Sequence, residues 1–454
     1  MKTKSVYFVS LGCPKNLVDS QVMLGLLEKE KYSISQSPDR ANVIIVNTCS
    51  FIQASKEESI ETILEMADFK QTGVCELLVV SGCLPQRYSS ELKKEMPEID
   101  LLIGTGQYHR ITELLGKHQK AIEQGDPLPE RAYVDQPAFI HTESDPRMHT
   151  GKKASAFLKI SEGCNRRCAF CIIPTLRGKV RSRSIHSLVE EAKGMAKNGV
   201  KELNLVAQDL THYGIENDYQ ENLERLLPEL VKIDGIEWIR LHYAYPDRFS
   251  SELVDLIAKE KKIVNYIDMP IQHTSNAVLK KMGRALTKER LFNLVSELRE
   301  KIPEVVFRTS IIVGFPGETE QDFLELCEDL RNLNLDHVGV FRYSKEEGTR
   351  AFDMDNQVPA AEARKRSQKL IQILQDQRWE KQNSYLGKEF PALIEGVSSE
   401  SDLLLQGRIP TQAQEIDGYV LINDLGDHET VDPGDLVMVR VTEAHPDFLV
   451  ASLV

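Results

Sequence analysis

Residues 164–171 read CNRRCAFC, three thiols separated by three and then two residues. Three thiolates this close can hold three corners of an iron-sulfur cluster and leave the fourth iron open. An electron-transfer cluster takes four cysteines and structural zinc takes four ligands, so a tight set of three implies a site that binds a further reactant. A zinc knuckle completed by a distant residue, or three thiols idle in a loop, are the plainer alternatives. The flanks favour the cluster. FLKISEG (157–163) reads as a strand and SLVEEAKGMAKNG (187–199) as a helix. The thiols then lie at the carboxyl end of a strand, where α/β folds keep their chemistry.

Outward from this loop, residues 153 to 345 alternate helical patterns with six strand patterns, FLKISEG, ELNLVAQD, IEWIRLHYAY, YIDMPIQ, VFRTSIIVGFP and HVGVFRYS. Six βα units are two short of a closed eightfold barrel, so an open partial (β/α)6 barrel with a lateral mouth is expected over 153–386, ending in a charged helical run. A large substrate could present one side chain at that mouth. Residues 1–118 alternate in the same way, which predicts an open parallel α/β sheet. Cys13, Cys49 and Cys83 each follow one of its strands. Parallel strands bring their carboxyl ends to one edge, so these three can converge on a second cluster site. Buried apolar thiols are the alternative, and that reading is kept for Cys75 and Cys327. Residues 119–152, rich in Pro, Asp and Gly, read as a linker. Residues 387–454 carry five short strand patterns and predict a small antiparallel OB-like β-barrel.

The 454 residues are 41% hydrophobic and 28% charged, the balance of a soluble globular chain of two or three domains. No apolar run reaches the ~18 to 20 residues of a membrane helix. MKTKSVYFVS is a charged start and a strand rather than a signal peptide, so a cytoplasmic protein without membrane association is expected. Eight cysteines in such a chain are metal ligands and reduced thiols rather than a disulfide framework. The net charge of -13 argues against a broad grip on nucleic acid, and it is uneven. Residues 388–454 hold thirteen Asp and Glu against three Lys and Arg. Such a tail repels phosphate and suits a basic protein partner. Neither a Walker loop nor metalloprotease histidine spacing is present.

The CxxxCxxC pattern with Phe170 before its last cysteine resembles the signature of radical S-adenosylmethionine enzymes. SLGCPKNLVDS, NTCSFI and SGCLPQRY, around Cys13, Cys49 and Cys83, are similar to the three cysteine segments of one branch, the methylthiotransferases. EGCNRRCAFCIIPTLRGKVRSR, AQDLTHYG, YIDMPIQH, GFPGETEQDF and FRYSKEEGTRA resemble that branch's central domain, and the tail its TRAM domain. GCPKN and QAQEIDG look like the type that modifies an aspartate of protein twelve of the small ribosomal subunit; the tRNA-adenosine type more often carries GCQMN. Gln414 stands where the familiar QAPEIDG has proline.

The resemblance implies two 4Fe-4S clusters and S-adenosylmethionine as cosubstrate. Cys164, Cys168 and Cys171 would ligate the cluster whose electron splits the cosubstrate into methionine and a 5'-deoxyadenosyl radical. Cys13, Cys49 and Cys83 would hold an auxiliary cluster carrying the sulfur, which a second S-adenosylmethionine methylates. Phe170 would border the adenine. Gln208, Asp209 and Arg308 are candidate polar contacts at strand ends, although routine hydrogen bonding accounts for them nearly as well. No catalytic residue is assigned beyond the ligands. The partners implied are a basic ribosomal protein, an electron donor and a sulfur source, with tRNA not expected. A tRNA methylthiotransferase and a non-enzymatic iron-sulfur carrier are the rival readings.

Overall fold

The computed structural model describes residues 4–426 and 430–454; Asp427 and Glu429, two of the acids counted in the tail, lie outside the described residues. The first sheet contains β1 (Ser5–Ser10), β2 (Ser33–Ile34), β3 (Val43–Thr48), β4 (Leu77–Gly82), β5 (Leu101–Gly104) and β6 (Ala132–Tyr133). Its order is β2-β1-β3-β4-β5-β6, every pair parallel. VIIVNT and LLVVSG are buried along their whole length, as strands covered by helices on both faces must be. The order reverses between β1 and β3, the switch point where doubly wound sheets open a crevice.

The second sheet is built from β7 (Ser155–Lys159), β10 (Glu202–Val206), β11 (Trp238–Leu241), β12 (Ile263–Asp268), β13 (Val306–Val313) and β14 (His337–Arg342). These strands are parallel neighbours in chain order, the open partial barrel expected from six βα units. A short hairpin, β8 (Ser161–Glu162) with β9 (Arg181–Ser182), brackets the cysteine loop at its base. The tail closes a barrel of β15 (Glu389–Val397), β16 (Leu405–Arg408), β17 (Tyr419–Asp424), β18 (Leu436–Ala444) and β19 (Phe448–Leu453). Its seams are antiparallel except β17 with β19. That exception is forced, because strands cannot alternate in direction all the way round a closed ring of odd number.

The first unit and the tail close on the partial barrel from opposite ends. The helix Pro14–Lys29 of the first unit packs Val18 against Phe157, midway along β7, and Val206, the last residue of β10. On the far side, Lys56 and Arg87 each approach Glu346, after β14, to 2.9 Å. The tail instead covers the amino-terminal ends: Leu393 and Ala413 pack on Trp238, Val264 and Val306. There Glu202 is fully buried between Arg240 and the tail's Arg408.

Residues 119–152 connect the sheets without hanging free. The helix Ile111–Gln124 runs into them, β6 extends the first sheet, and the Phe139 ring stacks on His109 at 3.9 Å. The Met148 N–H donates to the Gln21 carbonyl at 2.9 Å. Gly25 permits this approach, since a Cβ there would stand 2.5 Å from the Pro146 carbonyl carbon. Among the described residues no helix is long and apolar enough to cross a membrane.

Candidate active site

The first thiol set forms at the switch point. Cys13 is the N-cap of Pro14–Lys29, Cys49 directly follows β3, and Cys83 opens the helix Cys83–Glu95 directly after β4. Since β1, β3 and β4 are adjacent and in register, their carboxyl ends share one edge. Gly12, at φ +90°, brings the Cys13 turn so close to Cys49 that an added Cβ would lie 2.8 Å from the Cys49 Cβ. Cys49 is clamped further by Ser59, whose hydroxyl accepts from the Cys49 N–H at 3.1 Å and donates to its carbonyl at 2.9 Å. Two of the three thiols therefore sit at helix N-termini, where the macrodipole favours a thiolate.

The second set lies between β8 and β9. Arg166, inside the motif, donates to Asp209 at 2.8 Å and bidentately to Asp247 at 2.7 and 2.8 Å. Its guanidinium lies 3.7 Å from the Tyr245 ring centroid, and Arg284 covers the same ring at 4.0 Å. Arg284 also reaches Cys168 Sγ at 3.8 Å. The carboxylate and ring contacts of Arg166 hold the loop without using its thiols. Phe170 is half-buried, meeting Phe315 edge-on in an apolar patch with Ile312 and Tyr343.

The other sequence candidates take distinct places. Asp209 caps the turn Leu210–His212 through the Thr211 N–H at 3.0 Å and spends its second oxygen on Arg166, so it orders the loop. Gln208 donates to Glu162 and leaves its carbonyl oxygen buried without a partner. Arg308 is the third residue of β13 and pairs with the tail's Asp417. The glycine turn GFPGE is explained by packing: a Cβ on Gly314 would meet Ala363 of the helix Ala360–Asn383 at 2.5 Å. Cys75 and Cys327 lie in apolar cores.

Sequence reasoning missed how the two sets meet. Cys83 packs against Ile172, the residue after Cys171, and against Leu176. One turn on, Arg177 donates to Cys83 Sγ at 3.5 Å, to the Asn16 side-chain Oδ1 at 3.0 Å and to Glu162 at 3.2 Å, and also pairs with Asp19. Lys159 completes the network with Asp19 and with Glu162 at 2.7 Å. Asn16 and Asp19 were visible in GCPKNLVDS, but nothing local named their partners some 140 to 160 residues away.

The donor sets fit iron-sulfur clusters. Burial pushes the thiol of Cys83 up to about 12, Cys164 to about 11 and Cys171 to about 12. Thiols so placed ionise only for a strongly cationic partner, and ligation deprotonates them.

Comparison with known proteins agrees. Residues 5–104 match the family described as Uncharacterized protein family UPF0004, 158–330 the Radical SAM superfamily and 386–454 the TRAM domain. The chain is 48% identical over 451 residues to ribosomal protein uS12 methylthiotransferase RimO of Myxococcus xanthus, covering 99% of this chain and 92% of that protein. It is 45% identical over 452 residues to the protein of the same name from Geobacter sulfurreducens, covering 99% of each.

The chain belongs to the RimO family of ribosomal protein uS12 methylthiotransferases.

The RimO-family chain also shares its fold with more distant enzymes. The radical S-adenosylmethionine methyltransferase TsrM of Kitasatospora setae superposes with a TM-score of 0.54 at 15% identity, over 75% of each chain. The cobalamin-dependent radical enzyme OxsB gives 0.51 at 12% identity, over 83% of this chain and 56% of that one.

Proposed function

We propose that this chain inserts a methylthio group at the β-carbon of an aspartate in ribosomal protein uS12. Cys164, Cys168 and Cys171 hold the 4Fe-4S cluster that engages S-adenosylmethionine, and Cys13, Cys49 and Cys83 hold the auxiliary 4Fe-4S cluster. When bound, these groups supply radical cleavage of the cosubstrate and a transferable sulfur, chemistry needed because the aspartate β C–H has no proton that a side-chain base could remove near neutral pH. The chain's own contribution is placement. Arg166, Asp209 and Asp247 fix the cysteine loop. Phe170 offers an apolar face for the adenine, and the unpartnered Gln208 oxygen is an acceptor for a polar group of the cosubstrate. Arg308 is assigned to the tail interface instead. An electron donor and a sulfur source are required partners. We divide the chain at 118, 152 and 386.

The observation that carries this reading is the contact of Cys83 with Ile172, the neighbour of Cys171, which sets one cysteine loop against the other. A carrier of clusters has no use for such an arrangement. The acidic tail disfavours the tRNA reading, since a phosphate-binding module should be basic. Mass spectrometry of uS12 and of tRNA from cells with and without the protein tests it. The methylthio group should appear on uS12 only when the protein is present, with tRNA unchanged; modified tRNA and unmodified uS12 would reverse the choice.

A further inference from the structure

The buried cations of this protein are nearly all matched. Lys159, Arg177, Arg240 and Arg408 each face Asp or Glu, and Arg284 faces the thiol of Cys168. Lys15 is different. It is 9% exposed, yet among the described residues no carboxylate comes within the 4.0 Å of an ion pair. Its ammonium rests on the Tyr243 ring, 3.5 Å from the centroid. An ammonium on a side chain so nearly buried, without a counterion, is costly, and an aromatic face recovers only part of that cost.

The surroundings are arranged to keep this charge in place. Tyr243, just past β11, adopts φ +62°, a left-handed conformation that is strained for a bulky residue. The strain is held by Asp268 at the end of β12, which accepts from the Tyr243 N–H at 3.2 Å. His242 Nδ1 approaches the same carboxylate to 3.5 Å, so Asp268 is already engaged by the barrel. Lys15 is also the second residue of the helix Pro14–Lys29, whose N-cap, Cys13, makes no side-chain capping bond. Pro14 has no N–H, and the Asn16 and Leu17 N–H groups bond the Cys13 carbonyl at 2.9 and 3.0 Å, so the Lys15 N–H is the first-turn donor left over, and it stands with the Lys15 ammonium at the barrel's carboxyl end.

We infer that Lys15, with the N-terminus of its helix, receives the γ-carboxylate of the aspartate to be modified. This rests on the substrate class proposed above. The γ-carboxylate is bonded directly to the β-carbon, so an anion receptor two residues from Cys13 sets that carbon beside the auxiliary thiols. Tyr243 carries the receptor, and asparagine at the target would lose the charge-assisted bond.

The test uses reconstituted full-length enzyme without reductant, so that binding is read without turnover. Labelled uS12 and its variant with the modified aspartate replaced by asparagine are titrated against wild type, Lys15→Met and Lys15→Arg. Wild type should prefer the aspartate form by about tenfold or more, the worth of one charged hydrogen bond. Lys15→Met should bind both forms equally weakly, and Lys15→Arg should keep part of the preference. Equal binding of both forms by wild type, or an undiminished preference in Lys15→Met, would overturn the assignment. So would loss of iron from Lys15→Met, or weakened S-adenosylmethionine binding with uS12 binding intact, because the lysine would then serve a cluster or the cosubstrate. If wild type never modifies uS12, the substrate reading falls and this one with it; if it does and Lys15→Met keeps the preference, only the lysine's role falls.

Discussion

Gly12 shows how far a single residue controls the site. Its φ of +90° is unfavourable for any L side chain, and an added Cβ would press on Cys49. Gly12→Ala should therefore unseat the auxiliary thiols while leaving the barrel loop alone. Iron per chain after anaerobic reconstitution should fall to about half the wild-type value of about eight, and a full complement would show that the turn tolerates the change. Arg177 has the opposite character, a positive charge at 2% exposure holding Asp19 and Glu162. Arg177→Met leaves both acids buried beside Lys159 alone and should cost about 3 to 5 kcal/mol. Breaking the exposed pair Lys117–Glu113 should cost less than about 1 kcal/mol. Thermal unfolding of the two variants side by side checks the contrast. The gathering of Cys13, Cys49 and Cys83 at one sheet edge was legible because each follows a strand of a parallel sheet. Arg177 and Lys15 were not, since each acts through groups from another unit and a lone basic residue has no local signature.

Among the elements, the strands and their carboxyl ends could be read from alternation and β-branched runs such as VIIVNT, which need only local burial to explain them. The two-residue strands β2 and β6 escaped, being too short to carry a period. The segment 119–152 looked like a linker because much of its order comes from distant partners. Its His141 is 1% exposed, and its Nε2 meets the Arg183 guanidinium at 3.1 Å, so the neutral ring accepts a hydrogen bond there. Burial, with Arg183 nearby, lowers its pKa to about 4. Burial likewise lowers His273 to about 4. Both are depressed below the unfolded value of about 6.5, so the unfolded chain binds more protons between these limits. Stability should be level above pH ~6.5 and fall as pH drops toward 4, each histidine contributing up to about 1.4 kcal/mol per pH unit. Melting temperature against pH should show this fall. His141→Gln, which keeps an acceptor for Arg183, should reduce the slope; an unchanged slope would place the titration elsewhere.

Across the whole molecule, the tail does more than its charge suggests. Its acidity was plain in the sequence, but its docking was not, because Arg408 and Asp417 reach Glu202 and Arg308 across more than 100 residues. Two of its acids, Asp417 and Glu395, are spent internally, on Arg308 and Arg408. Ending the chain near Tyr385 would expose Trp238 and Val264 and strip Glu202 of Arg408, so truncation should destabilise the barrel itself. Surface charge is the cleaner probe. Asp402, Glu415 and Asp424 are exposed, and a field built from such groups should speed association with a basic protein. Association with uS12 should weaken between 0.1 and 1 M salt, as the Debye length shrinks from about 10 Å to about 3 Å. Asp424→Lys should weaken it modestly, and a gain in affinity would contradict the electrostatic account.

The account stands on two thiol sets whose loops meet and which divide the work. The most direct measurement follows 5'-deoxyadenosine and the intact mass of uS12 in one reductive reaction, comparing wild type with the Cys13→Ala, Cys49→Ala, Cys83→Ala triple variant. Wild type should yield both products. The variant should still release 5'-deoxyadenosine while uS12 keeps its unmodified mass. Methylthiolated uS12 from the variant, or loss of 5'-deoxyadenosine while the iron held by Cys164, Cys168 and Cys171 remains, would contradict the division.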